Sequence, residues 1–136
     1  MKKKIVFSLF VIIVLFTITG CGKEKYDGPT YLKCYRSYSS SFQGNQEETV
    51  EFYFTDDGKS RTKVVEEIVY DKEYSSKREH YDDIVEECDK LTDDWSCKAS
   101  YNAEGRIVKK VTYKRTDEMS YEEQAEIYDD WDCESK

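Results

Sequence analysis

Between Val50 and Tyr70 the chain alternates. Val50, Phe52 and Phe54 are separated by Glu51 and Tyr53, and the run from Thr62 to Tyr70 places Val64, Ile68 and Tyr70 on one side with Val65 and Val69 on the other. An apolar residue at every second position is the period of a half-buried strand. Asp56-Asp57-Gly58-Lys59 joins the two runs, and Asp-Gly between alternating segments is a hairpin signal. Tyr31 to Tyr38 reads as a first strand, weaker for its Ser and Lys content, with a polar loop from Ser39 to Gln46.

The period then changes. From Ser76 to Leu91, Tyr81, Ile84, Val85, Cys88 and Leu91 recur three or four apart among charged residues, one amphipathic helix with Ser75 or Ser76 as its N-cap. Alternation resumes at Trp95, Cys97, Ala99 and Tyr101. Asn102-Ala103-Glu104-Gly105 is a turn, and Ile107, Val111 and Tyr113 continue as the paired strand. Met119 to Trp131 returns to helical spacing through Tyr121, Ala125, Tyr128 and Trp131, with Asp117 or Ser120 as cap. The order is β-β-β-α-β-β-α: an α+β fold with an antiparallel five-stranded sheet and two helices packed on one face. Lys33, Glu51, Glu67, Lys98 and Lys110 fall on the alternate positions, so the other face is expected to be wet. The expected core is Phe52, Phe54, Ile68, Ile84, Val85, Leu91, Trp95, Ile107 and Val111.

The N-terminus reads as an address. Met1-Lys2-Lys3-Lys4 is cationic, and Ile5 to Phe16 is apolar apart from Ser8. That run falls short of the about 20 apolar residues of a membrane span and matches a secretory signal. Ile18-Thr19-Gly20-Cys21 resembles the bacterial lipobox, which implies cleavage after Gly20 and a diacylglycerol thioether on Cys21. The expected divisions are 1–20 lipoprotein signal peptide, 21–30 tether and 31–136 a single α+β domain. The mature chain would carry 18 Lys plus Arg against 29 Asp plus Glu, a net of −11. Acyl chains at Cys21 rather than a basic patch must then hold it to the outer face of the cell membrane. This layout of lipobox, strand–Asp-Gly–strand hairpin, helix and second hairpin at Lys98 to Lys114 resembles the YehR-like small lipoproteins of low-GC Gram-positive bacteria. That family has no known function, and the resemblance implies a fold without implying a chemistry.

Four cysteines remain after Cys21: Cys34, Cys88, Cys97 and Cys133. None forms a Cys-x-x-Cys, so thioredoxin-type redox chemistry and a zinc ribbon both lack their spacing. In an oxidising compartment an even number reads as two structural disulfides. Cys88 on the helix stripe and Cys97 on the Trp95 face would meet if that face packs under the helix, leaving Cys34 with Cys133. The rival is Cys34–Cys88 with Cys97–Cys133.

Little else points to chemistry. A pI near 4.8 argues against a nucleic-acid binder, which needs a basic stripe to neutralise phosphates. No Gly-x-Ser-x-Gly elbow or phosphate loop occurs, and His80, the single histidine, reads as a solvated surface residue. Counting back from Gly58 puts Tyr53 at the first position of a calcium loop, where it cannot ligate. No metal, cofactor or catalytic set is therefore expected. Twelve tyrosines leave one binding candidate: Tyr31, Tyr35 and Tyr53, opposite the apolar side of their strands, would form a contact face for a protein or small molecule, or pack across strands. The favoured reading is a non-enzymatic binding or envelope-interaction module. A small carboxylate hydrolase or thiol oxidant is the alternative.

Overall fold

The computed structural model describes residues 25–136. The signal peptide, Gly20 and Cys21 lie outside the described residues. Among the described residues the fold is α+β, with one antiparallel sheet of six strands and three helices. The order is β1 (Tyr31–Ser40), β2 (Gly44–Phe54), β3 (Arg61–Val69), α1 (Lys72–Ser75), α2 (Arg78–Asp89), β4 (Trp95–Tyr101), β5 (Ile107–Asp117), α3 (Tyr121–Ile127) and β6 (Asp132–Ser135). Across the sheet the strands run β4-β5-β3-β2-β1-β6.

The sixth strand corrects the expected five. The helix expected from Met119 to Trp131 stops at Ile127, and the tail turns back through Trp131 N–H to Tyr128 C=O to lie antiparallel to β1. Its four acidic-rich residues are all exposed and show no alternation, so their period is silent. What places them is the bridge at Cys133, whose Cα lies 4.1 Å from that of Cys34. Tyr121, Ala125, Tyr128 and Trp131 nevertheless all pack onto Leu32, Cys34, Val50, Phe52 and Phe54.

The polar loop expected over Ser39 to Gln46 is also corrected. β1 runs to Ser40 and β2 starts at Gly44, whose φ of 70° lets a three-residue connection close the hairpin. The third helix, α1, is the remaining difference. Ser75 and Ser76 do not cap α2; they close α1, donating their hydroxyls to Asp71 C=O and Glu73 C=O. Asp71 is the cap, its side chain accepting from Glu73 N–H, and it also accepts from Asn45 N–H across the hairpin. Burial of Tyr74 and Ser75 against β5 folds this turn: Ile107 N–H donates to Ser75 Oγ. At α3 the cap is Ser120, in a capping box with Glu123.

Register puts Leu32, Phe52, Val64 and Tyr113 on the same face as Ile107, Ala99 and Cys97, and all three helices lie on it. α3 covers β1 and β2. α1 and α2 cover β4 and β5 through Tyr74, Tyr81 and Ile84 against Ile107 and Ala99. Phe52, Phe54, Ile84 and Ile107 are buried as expected, while Ile68, Val85 and Val111 are half-buried. Leu91 and Trp95 are corrections, 38% and 47% exposed. Leu91 lies beyond the end of α2, and Trp95 opens β4 at the sheet edge, where neither helix reaches.

Candidate functional site

The two helical caps leave a diagonal strip of sheet between them. Through its middle runs one transverse row: Cys133, Cys34, Val50, Glu66, Val111 and Cys97 are successive register partners across all six strands. A disulfide lies at each end, Cys34–Cys133 and Cys88–Cys97. These are the pairs that the helix-over-strand argument favoured, and the rival connectivity is absent. At the centre, flanked by valines, is a carboxylate.

The Glu66 side chain makes no hydrogen bond or ion pair to another of the described residues. Burial holds its pKa above the ordinary 4.5, the nearby charge of Glu48 adds to this, and Lys109 and Arg36 oppose it. Each cation around it is committed elsewhere. Arg36 donates Nε and Nη2 to Glu48 at 2.9 and 2.8 Å, with its guanidinium 4.2 Å from the Trp131 ring and 4.6 Å from the Tyr38 ring. Lys109 Nζ lies 3.0 Å from Glu87 on α2. Arg61 holds Asp117 at 2.6 Å and donates to buried Gln124 at 2.7 Å.

Beside Glu66 the strip deepens into a recess of about 380 Å³. Phe52 and Val64 form its floor, Tyr128 one wall and the Trp95–Tyr113 pair the other, with ring centroids 4.5 Å apart. The Arg61–Asp117–Gln124 network closes one end. Tyr128 titrates above its ordinary range because of burial, then the charges of Glu48 and Glu66. Tyr38 and Tyr70, farther along the strip, are raised by burial in the same way. They remain neutral hydroxyls at physiological pH.

The tyrosines singled out from the sequence lie on the opposite, helix-free face. Tyr31 and Tyr53 are register partners packed edge to face at 5.1 Å. Tyr31 donates to Glu51, and Lys63 Nζ lies 4.1 Å from the Tyr53 ring. Tyr35 stands apart, opposite Thr49, donating to Glu47 at 3.2 Å. The structure thus joins two of the three, and their ring contacts are with each other. His80 corrects the expectation of a solvated side chain. Its ring is 12% exposed, stacks on Tyr74 at 3.9 Å and places Nδ1 2.7 Å from Tyr74 C=O. The β1–β2 hairpin tip covers it through Phe42, a contact that helical periodicity within one segment does not show.

Sequence reasoning passed over Glu66, Trp95 and Tyr128 as site residues. The available signal was Val64-x-Glu66-x-Ile68: a carboxylate on the apolar side of a central strand. Among the described residues no group of three or more His, Cys, Asp or Glu is placed to hold a metal ion. No family model matches the chain, and no curated protein or solved structure matches it.

Proposed function

We propose that this chain is a lipid-anchored, extracytoplasmic binding module, non-enzymatic, taking its ligand in the recess beside Glu66, bordered by Gln124 of α3 and by Tyr128. The observation that carries the binding reading is Glu66, an unpaired carboxylate between valines at the edge of an aromatic-walled concavity. Leaving such a group half-buried without a partner costs stability. A ligand that satisfies it offsets that cost. The location draws on the lipobox-like Ile18-Thr19-Gly20-Cys21 and on two disulfides, which suit an oxidising compartment.

A second reading, a small hydrolase, draws on the same residue, because a carboxyl with a raised pKa in a concavity suits a general acid. Among the described residues, Glu48 and Asp117 are not free to serve as its second carboxylate: Glu48 is held by Arg36 and Asp117 by Arg61.

The test is fractionation and co-purification of full-length chain from detergent-solubilised membranes. Wild type is expected in the membrane fraction with a bound partner or small molecule. Cys21→Ala is expected to release the chain or leave the precursor uncut. A mature N-terminus elsewhere without acyl chains overturns the anchor. Glycoside or ester hydrolysis abolished by Glu66→Gln would favour the enzyme.

A further inference from the structure

We propose that the ligand of the recess is a small organic ammonium ion, held by the Glu66 carboxylate and by the faces of Trp95, Tyr113 and Tyr128. This deepens the binding reading above and rests on it.

Two basic side chains, Arg36 and Lys109, bear on Glu66 and a third, Arg61, lines the recess; each is neutralised by a different acceptor: Arg36 by Glu48, Lys109 by Glu87, Arg61 by Asp117. The recess therefore keeps one uncompensated negative charge. Its complement is a single positive charge from outside the chain. An inorganic divalent ion does not suit the position, since Ca²⁺ takes 6–8 oxygen ligands and Mg²⁺ a near-ideal octahedron. Glu66 has Val50 and Val111 as its cross-strand neighbours instead. An organic cation suits it on both counts. Its charge meets one carboxylate, and its methyl or methylene groups meet Phe52, Val64 and the rings.

The chain already uses the same chemistry a short distance away. The Arg36 guanidinium packs on the Tyr38 and Trp131 rings while bonding to Glu48, an internal cation between aromatic faces and a carboxylate. The Glu66 recess offers equivalent parts without the cation. A volume of about 380 Å³ admits a ligand of a few to about a dozen heavy atoms. The acidic surface, with a net of −8 for the whole chain, raises the local cation concentration and favours encounter.

The test is titration of the full-length chain in neutral detergent with choline, n-butylammonium and benzyltrimethylammonium, at fixed ionic strength, followed by calorimetry and tryptophan fluorescence. Saturable one-site binding of at least one cation is expected. The uncharged isostere of choline, 3,3-dimethylbutan-1-ol, should bind at least about tenfold more weakly. Glu66→Gln keeps the side-chain shape and should weaken the cation about tenfold or more with the melting temperature not lowered. Trp95→Phe should remove the fluorescence change. Equal binding of choline and its neutral isostere, an unaffected Glu66→Gln, or no saturable cation binding overturns the proposal. If none of the three cations binds while a co-purified partner is lost on Trp95→Ala or Tyr128→Ala, the ligand class falls and the binding reading stands. If neither occurs, both fall.

Discussion

Cys34 on β1 and Cys97 on β4, halves of different disulfides, lie on the same transverse row of the sheet. Both ends of the strip that carries Glu66 are thereby tied covalently, one to the C-terminal strand and the other to α2.

The two bridges should differ in what they contribute. In the chain-entropy model a bridge of sequence separation 99 stabilises by about 4.7 kcal/mol and one of separation 9 by about 2.6 kcal/mol. Paired Cys→Ala variants of each, compared by urea denaturation, should show the larger loss for Cys34/Cys133. Equal losses would show that native-state geometry rather than ring size governs them.

Phe52→Ala removes a fully buried ring packed edge to face on Tyr128 at 5.0 Å. A loss of about 3–5 kcal/mol is expected from transfer and cavity terms together. Leu91→Ala, on an exposed residue past the end of α2, should stay within about 0.5 kcal/mol. Chemical denaturation of both variants checks the contrast.

Glu66 gives a pH dependence of definite sign. Its native pKa is raised, so in the window just above 4.5 the folded chain holds more protons there than the unfolded one. That contribution favours the fold at low pH and is lost as pH rises through the raised value. Asp57 and Asp71 act oppositely. Hydrogen bonds from Thr55 Oγ1 and from Glu73 N–H respectively lower their pKa, so their contribution is lost as pH falls. The charged groups bearing on Glu66 are Glu48, Lys109 and Arg36. Glu66→Gln should raise the melting temperature at pH 7 relative to wild type, with the gain shrinking toward pH 4. A gain that stays constant with pH would contradict this.

Ser120→Ala removes the side chain that accepts Glu123 N–H in the α3 capping box. About 1 kcal/mol of stability should be lost. Amide exchange should be faster in Tyr121 to Gln124 than in α2, where Lys77 makes no side-chain cap bond to lose.

The strands around Val50 to Tyr70 and both main helices were legible because each buries one face of a regular period. β6 was not, because an exposed four-residue edge strand carries no apolar face to mark it. Only the pairing of Cys133 with Cys34 points to where that tail must lie. α1 was hidden for a related reason. Tyr74 and Ser75 fold into one turn through contacts with Ile107, far away in sequence. The recess was half legible. Glu66 stands out on the apolar side of β3, but its isolation depends on where Arg36, Lys109 and Arg61 find their partners, and those choices are made in three dimensions.

The Cys34–Cys133 bridge also decides what happens when the chain is cut. It closes a ring that contains every connection from the β1–β2 hairpin to the turn before β6. A peptidase that nicks any one of those loops releases no fragment, because both pieces stay joined through sulfur and through the ladders on either side. The nicked molecule should run as one band without reductant and as two with it. Wherever reductants are scarce, a single cleavage would leave the strip around Glu66 assembled.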